Sequence, residues 1–257
     1  MDLDSSTTFT GDYAEDFEIW SEFYDSSIEI EKIKKYSSLG NKSVFEAGCG
    51  SGRLSFRLAD SCQHMVSVDV LPTLVDLCQR RLAQQHEDLV SKLRFEVQDA
   101  TSVAYPDNHF DALLDGWTFS IYENKPEAAA EYKRISTNGA PFYAIQVREG
   151  SEYQDILDMF IPDEKLEEWS DEKSIDVQMR DLFGEPEVDE NLVTPYYFDS
   201  IKEAFDAYMF NFEEWLGIEL SKTEKAELKN EISKYKQGST VRIEEYAQFF
   251  KFQIGGQ

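Results

Sequence analysis

One stretch constrains this chain more than any other. Val44-Phe45-Glu46-Ala47-Gly48-Cys49-Gly50-Ser51-Gly52-Arg53-Leu54 is a short apolar run that feeds three alternate glycines and then a helical pattern. Glycine carries no Cβ and tolerates positive φ, so three in five residues let the backbone turn sharply and press against a ligand that side chains would hold away. The first N–H groups of the following helix lack intrahelical partners and add donors at the same place. The pattern is that of a loop for a nucleotide-type cofactor between a strand and a helix.

The periodicity downstream repeats that unit. It predicts strands at 43–47, 65–69, 93–98, 110–115 and 141–147, with helices over about 53–60, 72–87 and 126–136. Pro72 and Pro126 stand where a first helical turn tolerates proline, and Asn138-Gly139 has the residues of a left-handed cap. Strands alternating with helices at this spacing imply parallel strands joined by right-handed crossovers, an α/β doubly wound sheet with its ligand at the strands' carboxyl ends.

Around this core, 1–40 reads as a helical cap, with Tyr13, Phe17, Trp20 and Tyr24 at helical spacing on one amphipathic helix over 11–38. The core spans 41–149. After Val147 the alternation stops, and 161–191 holds 12 acids and 3 bases. Residues 150–237 read as a mostly helical lid or substrate insertion with one strand near 192–198, and 238–257 as a terminal strand completing the sheet. Ser200/Glu203 and Ser221/Glu224 have capping-box spacing and predict helices over about 201–216 and 222–236.

Charge narrows the partners. The chain of 257 residues has 51 Asp+Glu against 25 Lys+Arg, a net charge of -26, whose field repels phosphodiester backbones and anionic membrane surfaces. Neither nucleic acid nor membrane is an expected partner. Cys49, Cys62 and Cys78 show neither a disulfide framework nor zinc spacing, Met1-Asp2-Leu3-Asp4 lacks a basic leader, and no metal set is visible. A soluble, acidic, cytoplasmic protein is the expectation.

Glycine-rich loops also serve nicotinamide and flavin enzymes, but their G-x-G-x-x-G places a third glycine where this chain has Arg53. That disfavours a nicotinamide oxidoreductase. Glu46, two residues before the first glycine, is poorly suited to phosphate and well suited to an ammonium group. The form E-x-G-x-G-x-G resembles motif I of the class I family, the Rossmann-like S-adenosylmethionine-dependent methyltransferases, and Phe45 to Leu54 match it closely. The resemblance covers 43–147 well and 150–237 scarcely at all.

The resemblance implies a seven-stranded sheet of order 3-2-1-4-5-7-6 with the last strand antiparallel. It implies S-adenosylmethionine as cofactor, S-adenosylhomocysteine as product, and methyl transfer by in-line displacement to a small-molecule acceptor. Glu46, Gly48, Gly50 and Gly52 form the loop. Asp69, ending Val66-Ser67-Val68-Asp69, accepts both ribose hydroxyls through charge-assisted bonds. Val70 packs on adenine, Asp99 accepts from its amino group and Ala100 offers a backbone N–H. Asp115, with Gly116 and Trp117, stands beside the methionine part. Tyr13, Tyr122, Gln146 and Arg148 are expected near the acceptor. A carboxylate or thiolate acceptor would need no base, and none is evident for an amine or hydroxyl: His64, His86 and His109 read as surface histidines. The alternative is a binding protein without turnover, a sensor or partner subunit holding the same cofactor.

Overall fold

The apolar runs Val44-Phe45 and Met65-Val66-Ser67-Val68 form strands that are buried along nearly their whole length, as central parallel strands covered on both faces must be. The computed structural model describes residues 9–85, 87–169 and 173–255, so the expectation for His86 lies outside the described residues. In chain order come α1 (Tyr13–Glu22), α2 (Ser27–Tyr36), β1 (Ser43–Ala47), α3 (Ser55–Leu58), β2 (His64–Asp69), α4 (Pro72–Gln85), β3 (Leu93–Val97) and β4 (Ala112–Gly116). Then follow α5 (Lys125–Ile135), β5 (Ala140–Val147), α6 (Glu152–Asp158), α7 (Asp163–Trp169) and α8 (Ile175–Phe183). β6 (Val188–Phe198), α9 (Ile201–Phe210), α10 (Lys222–Ser233), β7 (Lys236–Gln237) and β8 (Thr240–Ile254) complete the chain.

The sheet runs β3-β2-β1-β4-β5-β8-β6, with β7 paired to β8 off this path. β1 to β5 pair in parallel and β8 runs antiparallel to β5, from Ala140↔Ile254 to Val147↔Ala247. This is a Rossmann-like α/β sheet of eight strands where seven were expected. The two-residue β7 is the addition, and it moves the closing strand from seventh to eighth in sequence. Successive residues of a strand point to opposite faces. Val44, Leu114 and Tyr143 therefore join one buried cluster with Leu58, Cys78 and Phe249, while Phe45, Leu113 and Phe142 join another with Tyr132 and Phe250.

The chain divides into two compact units. The core unit comprises 26–147, 172–192 and 247–257; the other comprises 148–171, 193–246 and the described part of 1–25. The segment expected as one insertion is thus divided between them. In the core unit, α8 buries Met179, and Phe183 meets Phe142 and Phe119 at 4.9 and 5.4 Å. The single helix expected over 11–38 is two. Between them, Tyr24 bridges Tyr196, and Tyr197 N donates to Phe23 O at 2.8 Å. Extended backbone pairing at that point cannot be accommodated inside a continuous helix.

Local signals set the helix ends with small shifts. Ser221 and Glu224 form a complete capping box. At α9, Ser200 caps Glu203 N, but the Glu203 carboxylate takes Asp199 N at 2.8 Å, one residue earlier than the box requires. Gly139, φ 79°, lies past the end of α5, in the turn entering β5, rather than at the helix cap. The helix expected over 201–216 changes at its end into one π turn, Asn211–Trp215. Among the described residues no helix is long and apolar enough to cross a membrane.

Candidate functional site

β1 delivers the chain to Gly48 at the carboxyl edge of the sheet. Cys49 N stays bonded to Val68 O at 2.9 Å, and Gly52 N returns to Cys49 O at 2.8 Å, closing a tight turn. Gly48 holds φ 63°, and a Cβ there would lie 2.0 Å from Thr118 Oγ1, so no other residue fits without displacing the β4 end. Phe56 N bonds Gly52 O at 3.1 Å and begins α3, which is a single turn followed by a 3₁₀ turn at Ala59–Ser61. The helix expected over about 53–60 is thus one α turn continued by one 3₁₀ turn.

Asp69 joins the loop to β2. Its Oδ2 accepts from Gly50 N at 2.9 Å and its Oδ1 from Leu71 N at 3.0 Å, which leaves acceptor capacity on each oxygen for a diol. Asp69 is also register-paired with Val97 of β3. Val70 and Val97 are 59% and 49% exposed, an apolar pair at the ends of adjacent strands. Asp99 is exposed, and its Oδ1 accepts from Thr101 N and Thr101 Oγ1 at 2.9 and 2.7 Å, while Ala100 is buried behind it.

Glu46 faces inward. It is buried, and its Oε2 accepts from Ser67 Oγ at 2.7 Å and from Ser55 Oγ. Burial pushes its carboxyl up to about 7 against the opposing pull of the two hydroxyls. Beneath the loop, Cys78 Sγ donates to Gly50 O at 3.3 Å. The thiol of Cys49 is raised by its hydrogen bond with Cys78 and by burial.

Two of the expected contacts, Asp115 and Gln146, are buried. Asp115 is fully buried and spends its carboxylate on the protein: Thr118 N, Phe119 N and Gln146 Nε2 donate to Oδ1 at 3.0 Å each, and Tyr132 OH donates to Oδ2 at 2.8 Å. Burial still pushes its carboxyl up to about 6. Gln146 is equally buried, with its Oε1 accepting from Ser120 N at 3.1 Å. Both brace the turn after β4. Tyr122 belongs to the same network, 3.1 Å from Tyr132 OH. Burial raises its phenol.

Trp117 stands at that turn with φ 72°, an outlier for a bulky residue. Its Nε1 donates to Glu29 Oε1 at 3.1 Å, the Arg53 guanidinium pairs with Glu29 Oε2, and the same guanidinium lies 5.1 Å from the Trp117 ring. Sequence reasoning missed Glu29 altogether and used Arg53 only to reject a dinucleotide fold. The one available signal was an acid between Ile28 and Ile30 on a helix with an apolar face. Tyr13 and Arg148 belong to the other unit: Tyr13 packs on Phe17 and Phe210 at 6.1 and 6.0 Å, and exposed Arg148 donates its N–H to Tyr246 O at 2.7 Å.

The methyltransferase domain family matches residues 45–144, the span that holds the loop, Asp69, Asp99 and Asp115. Over 150 residues the chain is 25% identical to the eEF1A lysine and N-terminal methyltransferase of Xenopus laevis, covering 54% of this chain and 21% of that protein. Over 97 residues it is 29% identical to phosphoethanolamine N-methyltransferase 1 of Arabidopsis thaliana, covering 37% of this chain and 19% of that protein. The chain spans about a fifth of the length of these curated relatives. The YcgJ protein of Bacillus subtilis shares the fold, with a TM-score of 0.60, 14% identity, and coverage of 88% of this chain and 97% of that one.

Proposed function

We propose that this chain, whose core carries the methyltransferase domain of the class I S-adenosylmethionine-dependent family, transfers a methyl group from S-adenosylmethionine to a small-molecule acceptor. One observation carries the reading: the Gly50 N to Asp69 Oδ2 bond draws the glycine turn against the carboxylate one β unit later. That juxtaposition sets a close-approach backbone beside a diol acceptor at the carboxyl ends of adjacent strands. The donor set fits the cofactor, since Asp69 retains lone pairs for two hydroxyls and the exposed Val70 and Val97 offer apolar surface to an adenine ring.

When bound, the sulfonium supplies an already activated methyl group. In this reading Asp69 grips the ribose, Gly48, Gly50 and Gly52 admit the methionine part, and Asp99 and Ala100 N meet the adenine edge. Glu46 acts from below by bracing β1 against Ser55 and Ser67. Trp117, held by Glu29, borders the reacting end. Positioning is then the main lever, worth effective molarities of roughly 10⁵ to 10⁸ M when donor and nucleophile are aligned.

The names of the relatives span protein and small-molecule acceptors. The small acceptor is supported by the substantial second unit beside so compact a domain match. Isothermal titration with S-adenosylhomocysteine tests the cofactor. Wild type should bind, and Asp69→Ala should lose about 2 kcal/mol, roughly 30-fold, with its two hydroxyl partners. No binding by wild type, or equal binding by the variant, rejects the site. Incubation with methyl-labelled donor and a cell extract split by mass tests the acceptor: label should enter the low-mass fraction, and label confined to protein would reassign it.

A further inference from the structure

The unit of 1–25, 148–171 and 193–246 holds 28 Asp+Glu and 9 Lys+Arg, so it carries most of the chain's net charge of -26. Its described residues also concentrate aromatic rings. Trp20 and Trp215 meet edge to face at 4.5 Å, and Phe17 and Phe210 contact Trp215 at 5.9 and 5.7 Å. Trp215 remains 42% exposed, whereas Trp20 is buried. Trp215 ends the π turn that begins at Asn211, and such turns are frequent at functional positions.

Asn211 is 1% exposed, and its Nδ2 has no hydrogen-bond partner, while its Oδ1 accepts from Tyr153 OH. Tyr153 OH in turn accepts from Trp20 Nε1 at 3.2 Å, so the orphaned amide belongs to the same cluster as the two indoles. A buried donor without a hydrogen bond is costly, and native structures keep few of them. Glu245, also buried in this unit, adds a carboxyl that burial pushes up to about 7, and its charge is felt at Tyr153 and Tyr208.

We infer that this unit binds a small organic ammonium ion that carries a hydroxyl or carbonyl oxygen. The cation lies against the Trp20 and Trp215 rings and the oxygen accepts from Asn211 Nδ2. Aromatic faces attract ammonium groups through their quadrupoles, and the acidic surround raises the local concentration of cations. The π turn places the surface ring and the orphaned donor on one short segment, with Trp215 as the point of entry. The inference goes beyond the proposed transfer and does not depend on it.

The test uses the full chain and three probes in titration calorimetry: choline, tetramethylammonium, and 3,3-dimethylbutan-1-ol, the neutral carbon isostere of choline. Choline should bind about 10-fold tighter than the isostere, because only the former is a cation, and about 5-fold tighter than tetramethylammonium, which lacks the oxygen. Asn211→Leu should bring choline to the level of tetramethylammonium, and Trp215→Leu should weaken both ions about 5-fold. S-adenosylhomocysteine, titrated in parallel, should bind both variants as it binds wild type. Overturning results are equal affinity for choline and its isostere, unchanged choline binding by Asn211→Leu, or no choline heat from protein that binds S-adenosylhomocysteine. If Asn211→Leu does not fold, Trp215→Leu decides, and unchanged choline binding there overturns the inference. Loss of S-adenosylhomocysteine binding by wild type would instead sink the methyl-transfer reading and leave the ammonium site standing on its own data.

Discussion

In the core unit, the buried carboxylates of Glu46 and Asp115 have partners in Ser55, Ser67, Tyr132, Gln146 and two backbone N–H groups. In the unit of 1–25, 148–171 and 193–246, the buried amide of Asn211 keeps one atom without any. The core unit's segments hold 23 acids and 16 bases against 28 and 9 in the other. The difference teaches that the two buried carboxylates of the core unit brace its own strands and turns, while the second unit carries most of the acidic excess together with the half-exposed Trp215. A group already saturated by the fold is a brace; a group left open is where a ligand can be recognised.

The largest expected effect breaks the core side of this contrast. Gly48→Ala forces a Cβ into Thr118 at a backbone angle that favours glycine. Titration should show S-adenosylhomocysteine affinity falling on the order of 100-fold, about 3 kcal/mol, with the second unit's probe binding unchanged. Equal cofactor binding by the variant would mean that the loop does not need its close approach to β4.

A smaller effect tests the brace at Glu46. Its folded carboxyl titrates at about 7, above its ordinary value near 4.5, so the buried acid prefers its proton. The stability it contributes is fully present below about 4.5 and is lost as pH rises through 7. Glu46→Gln removes that loss. Urea midpoints should therefore shift in favour of the variant between pH 5 and 8, by a differential on the order of 2 kcal/mol. Asp115, shifted in the same direction, is present in both proteins, and its charge is itself one cause of the Glu46 shift. Parallel pH profiles would show that Glu46 is not a brace.

The smallest effect lies in the second unit. Ser221→Ala removes one half of the α10 capping box and should cost about 1 kcal/mol in urea unfolding without changing cofactor affinity. A change in S-adenosylhomocysteine binding would show that the two units are not the separate concerns their chemistry suggests.

Local chemistry made much of this legible in advance. The strands from 43 to 147 announced themselves by apolar runs bounded by glycine and proline, and the cap at Ser221 by a serine with its acid three residues on. The first unit of sheet and loop depends on backbone preferences that act within a few residues, so a sequence can state them. Strand β7 escaped notice because two residues carry no periodicity. The break between α1 and α2 escaped because it is imposed by pairing with Tyr196, far along the chain.

By itself, then, the amino-acid order determined the glycine turn, the acid that ends β2 and the alternation that brings them to one edge, because turn chemistry and periodicity are short-range. Tertiary structure alone decided which carboxylates are open. Folding buried Asp115 and Gln146 in one network behind the turn after β4, and Glu29 became visible only when packing carried it to Trp117, 88 residues away. Whether a polar side chain is satisfied depends on partners that folding gathers from distant segments, and no local pattern encodes that count.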